Sequence, residues 1–198
     1  NNAVHPLTCI DLAGELVRCM YKSDANENMS DDEMDALDTL TRVLIDNRTK
    51  NRKIHFFVLE YGADDRKYEG LTQSVYLDGA LRYIERTGIF KDDTDVIYLM
   101  ITKVDKANAG KGQLASILRE YISETYGGFY NGLVKICRDC EINNGNVEIV
   151  PFSLGQVCFQ DYCLFDEKPA SNVVRKLLER SKGFKNGKFQ KGLNIFKR

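Results

Sequence analysis

The sequence predicts an α/β protein with a mostly parallel sheet and helices on both faces, a three-layer αβα arrangement. The first observation is a set of largely apolar runs at 54–59, 95–101 and 147–152, which are typical of strands buried on both faces. The second is their alternation with stretches of helical periodicity, which is typical of parallel sheets. With a short strand at 7–10, the predicted order is β-α-β-α-β-α-β-α.

The helices are placed by capping residues and by the spacing of apolar side chains. Ser30 and Glu33 have the form of a capping box and predict that a helix begins there, after a polar loop over 22–32. Further helices are predicted at 72–87, at 112–126, at 129–138 as an extension or a separate helix, and at about 171–181 with Ser171 as N-cap.

Composition excludes several classes of protein. The chain has 198 residues, which suits one domain, and its formal net charge of -1 argues against a general nucleic-acid binder. No apolar run approaches the roughly 18 residues of a membrane span, and residues 1–10 do not resemble a secretory signal. The 6 cysteines, several of them in apolar runs, favour reduced thiols in a cytoplasmic protein without stable membrane insertion.

The domain is predicted to cover residues 1–182 and to be followed by a basic tail over 183–198. Cys137 and Cys140 form a lone CxxC pair, for which free thiols are favoured over zinc because a structural zinc site needs a second pair at suitable spacing.

Polar residues follow the predicted strands, where ligands of doubly wound sheets bind. Asp11-Leu12-Ala13-Gly14-Glu15 follows the first strand, Thr102-Lys103-Val104-Asp105 the third and Ser153-Leu154-Gly155 the fourth. A carboxylate at a strand end can accept two hydrogen bonds from the edge of guanine, and a lysine stem can cover the ring. Glu60, Tyr61 and Gly62 follow the second strand and suggest no specific chemistry.

Taken together, these three patterns resemble those of the P-loop GTPases, closest to the Ras-like and translation-factor class. "DLAGE" is similar to the family's third motif, Asp-x-x-Gly, and "TKVD" to the fourth, Asn/Thr-Lys-x-Asp. "SLG" is similar to the short fifth motif. The resemblance implies a domain that binds GTP or GDP with Mg²⁺ and changes its affinity for a protein effector with the nucleotide state.

The resemblance also implies roles for individual residues. Asp11 would reach Mg²⁺ through water, and the Gly14 N–H would sense the γ-phosphate. Glu15 stands where many members have a water-positioning Gln, and it is the candidate catalytic residue. The segment 15–35 would be switch II, polar and mobile. Toward the base, Asp105 would bind the guanine edge, Lys103 would cover the ring, Thr102 would brace the loop, and Ser153, Leu154 and Gly155 would approach guanine O6.

The family's phosphate cradle, Gly-x-x-x-x-Gly-Lys-Ser/Thr, does not match the ten residues before "DLAGE". The central strand that carries the cradle is therefore expected to be missing from this chain, as in the C-terminal part or a cleaved fragment of a longer protein. Alternatively, the two flanking strands pair directly, or another chain fills the gap. The leading hypothesis is a GTPase switch domain whose full-length form hydrolyses GTP, while this portion is inactive and binds guanine nucleotide weakly or not at all. The alternatives are a catalytically inactive, GTPase-like interaction scaffold and a different doubly wound nucleotide-binding protein.

Overall fold

A computed structural model describes residues 8–12, 14–45, 52–90, 93–158 and 162–180 of the chain. The N-terminal half of this part contains α1 (Gly14–Ala25), α2 (Asp31–Ile45), β1 (Lys53–Glu60), β2 (Lys67–Tyr68), β3 (Leu71–Thr72), α3 (Gln73–Thr87) and β4 (Thr94–Thr102). The C-terminal half contains α4 (Leu114–Thr125), α5 (Gly127–Asp139), β5 (Glu148–Pro151), β6 (Gly155–Cys158), β7 (Tyr162–Phe165) and α6 (Lys168–Arg180).

A three-stranded parallel sheet in the order β1-β4-β5 forms the centre of the molecule. Glu60 pairs with Thr102, and Ile101 with Pro151, so the three strands end at one common edge. This parallel α/β architecture confirms the sequence prediction for these strands. Among the described residues β1 pairs only with β4, which leaves its other edge without a strand.

Each face of the sheet packs against helices. Leu59, Ile97 and Leu99 are fully buried and belong to the main core, which also contains residues of α1 to α5. The opposite face carries a smaller cluster in which Tyr98 is buried and Val173 of α6 packs against it. Burial on both faces explains why β4 is apolar along nearly its whole length, whereas on β1 the side chain of Val58 is 53% exposed.

Two ion pairs fasten α6 to the sheet. The Lys176 Nζ lies 2.7 Å from Glu148 Oε2, and the Arg180 Nη2 lies 2.5 Å from Glu148 Oε1. Partial burial opposes ionisation of Glu148, but these two cations lower the pKa of its carboxyl overall. The contacts join the first residue of β5 to the last two turns of the helix that covers it.

We expect Glu148→Gln to lower the free energy of unfolding by about 1–2 kcal/mol, because hydrogen bonds to a charged group are replaced by weaker neutral ones. Urea unfolding followed by circular dichroism measures this loss. The matched control is Glu179→Gln, since Glu179 is 52% exposed and pairs within α6 with Arg175, at 3.1 Å. A control loss as large as that of Glu148→Gln would contradict the account.

The prediction of a strand at 7–10 is wrong for the described residues 8–10, which form no strand and are exposed. Ile10 is 52% exposed, so the apolar run lacks the burial that a core strand requires. The predicted loop over 22–32 is also wrong at its start, because α1 continues to Ala25. Cys19 and Met20 are each 3% exposed and belong to the main core, so the helix that carries them is anchored just before its polar end.

The close contact between α1 and α3 depends on a small residue. A Cβ at Gly79 would lie 2.6 Å from the Tyr21 ring and 3.1 Å from the Tyr21 Cα. The segment 15–35, expected as a polar and mobile switch, therefore contains most of a packed helix and the start of α2.

The capping box at Ser30 is confirmed, since the Ser30 N donates to Glu33 Oε2 at 2.9 Å and the Glu33 N to Ser30 Oγ at 3.3 Å. Ser171 is not an N-cap. The last helix begins earlier, where the Lys168 N donates to Asp166 Oδ1 at 3.1 Å.

The hairpin formed by β6 and β7 was not expected, because the interrupted apolar pattern there does not indicate strands. No helix in the described ranges is long and apolar enough to cross a membrane. The proposed tail, 183–198, lies outside the described residues.

Candidate functional site

Two of the singled-out loops meet at the carboxyl edge of the sheet. The chain leaving β5 stays beside the chain leaving β4, since the Phe152 N donates to Ile101 O at 2.8 Å. The Val104 N in turn donates to Phe152 O at 3.4 Å. These backbone contacts extend the strand pairing beyond the sheet and bring "TKVD" next to "SLG".

A side-chain hydrogen bond then joins the two loops directly. The Ser153 hydroxyl donates to Asp105 Oδ1 at 2.7 Å. Asp105 is exposed in the short 3₁₀ turn Val104–Ala107. A carboxylate has about four lone-pair sites, so a carboxylate held by one hydroxyl can still accept two more hydrogen bonds.

Thr102 and Lys103 shape the start of this loop. The Thr102 hydroxyl donates to Leu59 O at 3.0 Å and ties the end of β4 to the end of β1. Lys103 has the left-handed conformation, with φ 55° and ψ 36°. This conformation is uncommon for a residue with a Cβ, and it turns the chain sharply between strand and 3₁₀ turn.

Glu60 is the unexpected member of the site. Its carboxylate lies 2.9 Å from Lys103 Nζ, 3.0 Å from Lys106 Nζ and 3.4 Å from Arg66 Nη1. The Lys103 and Lys106 hydrogen bonds lower the pKa of the Glu60 carboxyl to about 2. One carboxylate thus pairs with three cations at the carboxyl edge, two of them on the loop that carries Asp105.

The lowered pKa of Glu60 gives a test of the cluster by pH titration. Because the pKa lies below its ordinary value of 4.5, we expect the cluster to stabilise the fold above about pH 4.5 and to lose this effect as the pH falls toward 2. Carboxyl-carbon NMR of labelled Glu60 measures the midpoint. Replacing Lys103 and Lys106 together by Met should raise that midpoint toward 4.5, and an unchanged midpoint would contradict the assignment.

In the loop after β5, Ser153 is partly buried, and the side chain of Leu154 is 54% exposed. The Gly155 N donates to Ser153 Oγ at 3.2 Å, which closes a tight turn. Gly155 has φ +127° and no room for a side chain, since a Cβ would lie 1.9 Å from Leu164 O. The backbone geometry of the β6–β7 hairpin therefore requires glycine here.

The "DLAGE" residues lie on a separate segment, the entry to α1. Asp11, Gly14 and Glu15 are all exposed. Gly14 begins the helix, and a Cβ added to it would meet no atom within 4 Å. The described structure thus brings together the residues predicted to bind the base, which are Thr102, Lys103, Asp105, Ser153 and Gly155. The residues predicted to face the phosphates, Asp11, Gly14 and Glu15, lie on a different segment.

The magnesium site at Asp11 stays a prediction. Protein-bound Mg²⁺ usually keeps waters and takes carboxylates together with phosphate oxygens, and the exposed carboxylates of this segment are those of Asp11 and Glu15. No group of three or more His, Cys, Asp or Glu residues suited to a metal ion occurs in the part of the chain that the structure describes. Cys137 of the predicted CxxC pair is a buried free thiol in the described part of the chain. Burial raises the pKa of this thiol to about 11.

Comparisons of the chain with protein-family models, with curated proteins and with solved structures each found no match. The functional assignment therefore depends on the geometry of the site and on the motif resemblance.

Sequence reasoning missed Glu60 because a single glutamate at a strand end has no distinctive pattern. The parallel register supplies the missing signal, since it places Glu60 opposite Thr102, directly before Lys103. Lysines at 103 and 106 on a short turn can then both reach one carboxylate.

Proposed function

We propose that this chain is a guanine-nucleotide-binding domain of the GTPase switch type, and that its carboxyl-edge loops bind the base. The observation that carries the proposal is the 2.7 Å hydrogen bond between Ser153 Oγ and Asp105 Oδ1. It joins two motifs that are 48 residues apart in the sequence, and the resemblance independently assigns both of them to the base.

In this proposal the Asp105 carboxylate accepts hydrogen bonds from the ring N–H and the amino group of guanine. Adenine has neither group in that arrangement, so the carboxylate selects guanine. The stem of Lys103 covers one face of the ring. The backbone of Ser153 and Leu154 approaches the carbonyl O6, while the Gly155 N–H is used within its own turn.

The proposal extends to GTP hydrolysis only for a protein that also binds the phosphates. The same holds for an affinity for protein effectors that changes with the nucleotide state. A role for Glu15 as the residue that positions water, and for Asp11 toward Mg²⁺, requires a γ-phosphate near the start of α1. The described residues supply recognition of the base, so we expect an affinity of about 1 mM, equivalent to roughly -4 kcal/mol.

Titration of the isotope-labelled chain with GMP, followed by amide NMR, tests the proposal. We expect saturable shifts at 102–106 and 153–155 with GMP and at least about tenfold weaker binding of AMP, because the base-edge hydrogen bonds to a charged group are lost. Since both ligands carry one phosphate, the comparison isolates the base. Equal shifts with both nucleotides, or none with GMP, would contradict guanine recognition, and the second result would favour the scaffold alternative.

A further inference from the structure

We propose that Glu60 is a positioning residue for guanine recognition, and that it acts by fixing the side chain of Lys103 over the base. This inference rests on the proposed function and adds a residue to it. It starts from Glu60 itself, whose side chain is 19% exposed at the end of β1.

The Glu60 backbone is held from two sides. Its register partner on β4 is Thr102, and the next residue is also bound, since the Tyr61 N donates to Thr102 O at 3.0 Å. On the other side, the Tyr121 hydroxyl of α4 donates to Glu60 O at 3.1 Å and accepts from the Gly62 N at 3.1 Å. These contacts fix the backbone of Glu60, and the ion pairs to Lys103, Lys106 and Arg66 hold its carboxylate.

Lys103 is consequently held at both ends. Its backbone is fixed in the left-handed conformation, and its ammonium group lies 2.9 Å from Glu60 Oε1. The four-carbon stem must span these two points, yet the side chain as a whole remains 53% exposed. An exposed apolar stem with a fixed course is a suitable surface for one face of a flat ring.

The second lysine on Glu60 is not redundant in this arrangement. Lys106 Nζ also lies 3.0 Å from Oε1, and Arg66 Nη1 lies 3.4 Å from Oε2. The surplus of positive charge keeps Glu60 ionised and prevents the carboxylate from repelling an anionic nucleotide. Lys103 therefore needs no reordering when the base binds, which removes an entropic cost of binding.

A double-mutant cycle with GMP as the ligand tests this role. We expect Glu60→Gln to weaken GMP binding by roughly three- to tenfold. This range corresponds to the free-energy cost of immobilising one long side chain on binding, roughly three- to tenfold in affinity. Lys103→Met removes the ammonium group and keeps an apolar stem. In that background Glu60→Gln should have no further effect, since the two residues act as one unit.

The control is Glu85→Gln, which breaks a comparable Glu–Lys pair, 2.5 Å from Lys135, on the α3 surface. It should leave GMP binding unchanged. Equal losses from Glu60→Gln with and without the Lys103 ammonium would overturn the positioning role, as would unchanged binding in the Glu60→Gln variant. In both cases GMP binding by the unmodified chain leaves the proposed function standing. If the unmodified chain does not bind GMP, the proposed function fails and the role of Glu60 fails with it.

Discussion

Asp105→Asn should exchange the base preference of the chain from guanine to xanthine. Xanthine has a carbonyl where guanine has its amino group, and an asparagine can donate a hydrogen bond to that carbonyl where aspartate can only accept. We expect GMP binding to fall by about ten- to a hundredfold, because hydrogen bonds to a charged group are worth roughly 1.5–3 kcal/mol. XMP binding should rise, and amide NMR titrations with both nucleotides measure the change.

The fold should survive this substitution, because the asparagine carbonyl can still accept the hydrogen bond from the Ser153 hydroxyl. Asp139→Asn is the matched control, since the side chain of Asp139 is 61% exposed on α5 and pairs with Lys135 at 3.5 Å. It should bind GMP as the unmodified chain does. A guanine preference that survives Asp105→Asn unchanged would show that Asp105 does not bind the base edge.

Gly155→Ala should disrupt the β6–β7 hairpin and, with it, the loop that positions Ser153. The new Cβ would lie 1.9 Å from Leu164 O and 3.0 Å from the Phe165 Cα, both backbone atoms of the paired strand. The φ of +127° adds strain that an alanine cannot relieve in place. We expect a loss of about 2–4 kcal/mol in the stability of this region, from backbone strain and overpacking together.

Thermal unfolding and the amide spectrum of 155–158 and 162–165 measure that loss. Gly127→Ala is the control, because a Cβ at Gly127 meets no atom within 4 Å at the start of α5. We expect it to leave stability unchanged or to raise it by about 0.5 kcal/mol. A fully paired hairpin in the Gly155→Ala variant would contradict the requirement for glycine.

The sequence was informative where apolar residues run along a whole strand. Strands β1, β4 and β5 carry apolar residues on both faces, so their positions and parallel pairing follow from composition and alternation. The capping box at Ser30 was equally predictable, because its hydrogen bonds are local. The prediction of a strand at 7–10 was wrong for residues 8–10, because a short apolar run does not reveal whether a neighbouring strand exists to pair with it.

The candidate site was predictable only in part. Sequence analysis placed Asp105 and Ser153 each after a predicted strand, and they meet because β4 and β5 are parallel neighbours whose carboxyl ends share an edge. Glu60 was missed because its meaning depends on register, which brings a third strand end to the same lysines. The start of α6 was also misplaced, because the helix begins at Lys168 rather than after Ser171, and Val173 packs against the sheet.

The most direct test of guanine recognition is the position of the base itself. Nuclear Overhauser contacts between GMP and the labelled chain report which side-chain protons lie close to the ring. We expect contacts from the guanine H8 and ribose protons to the Lys103 methylene groups, with the ring beside Asp105. Contacts of bound GMP with any other surface and none with Lys103 would contradict the account.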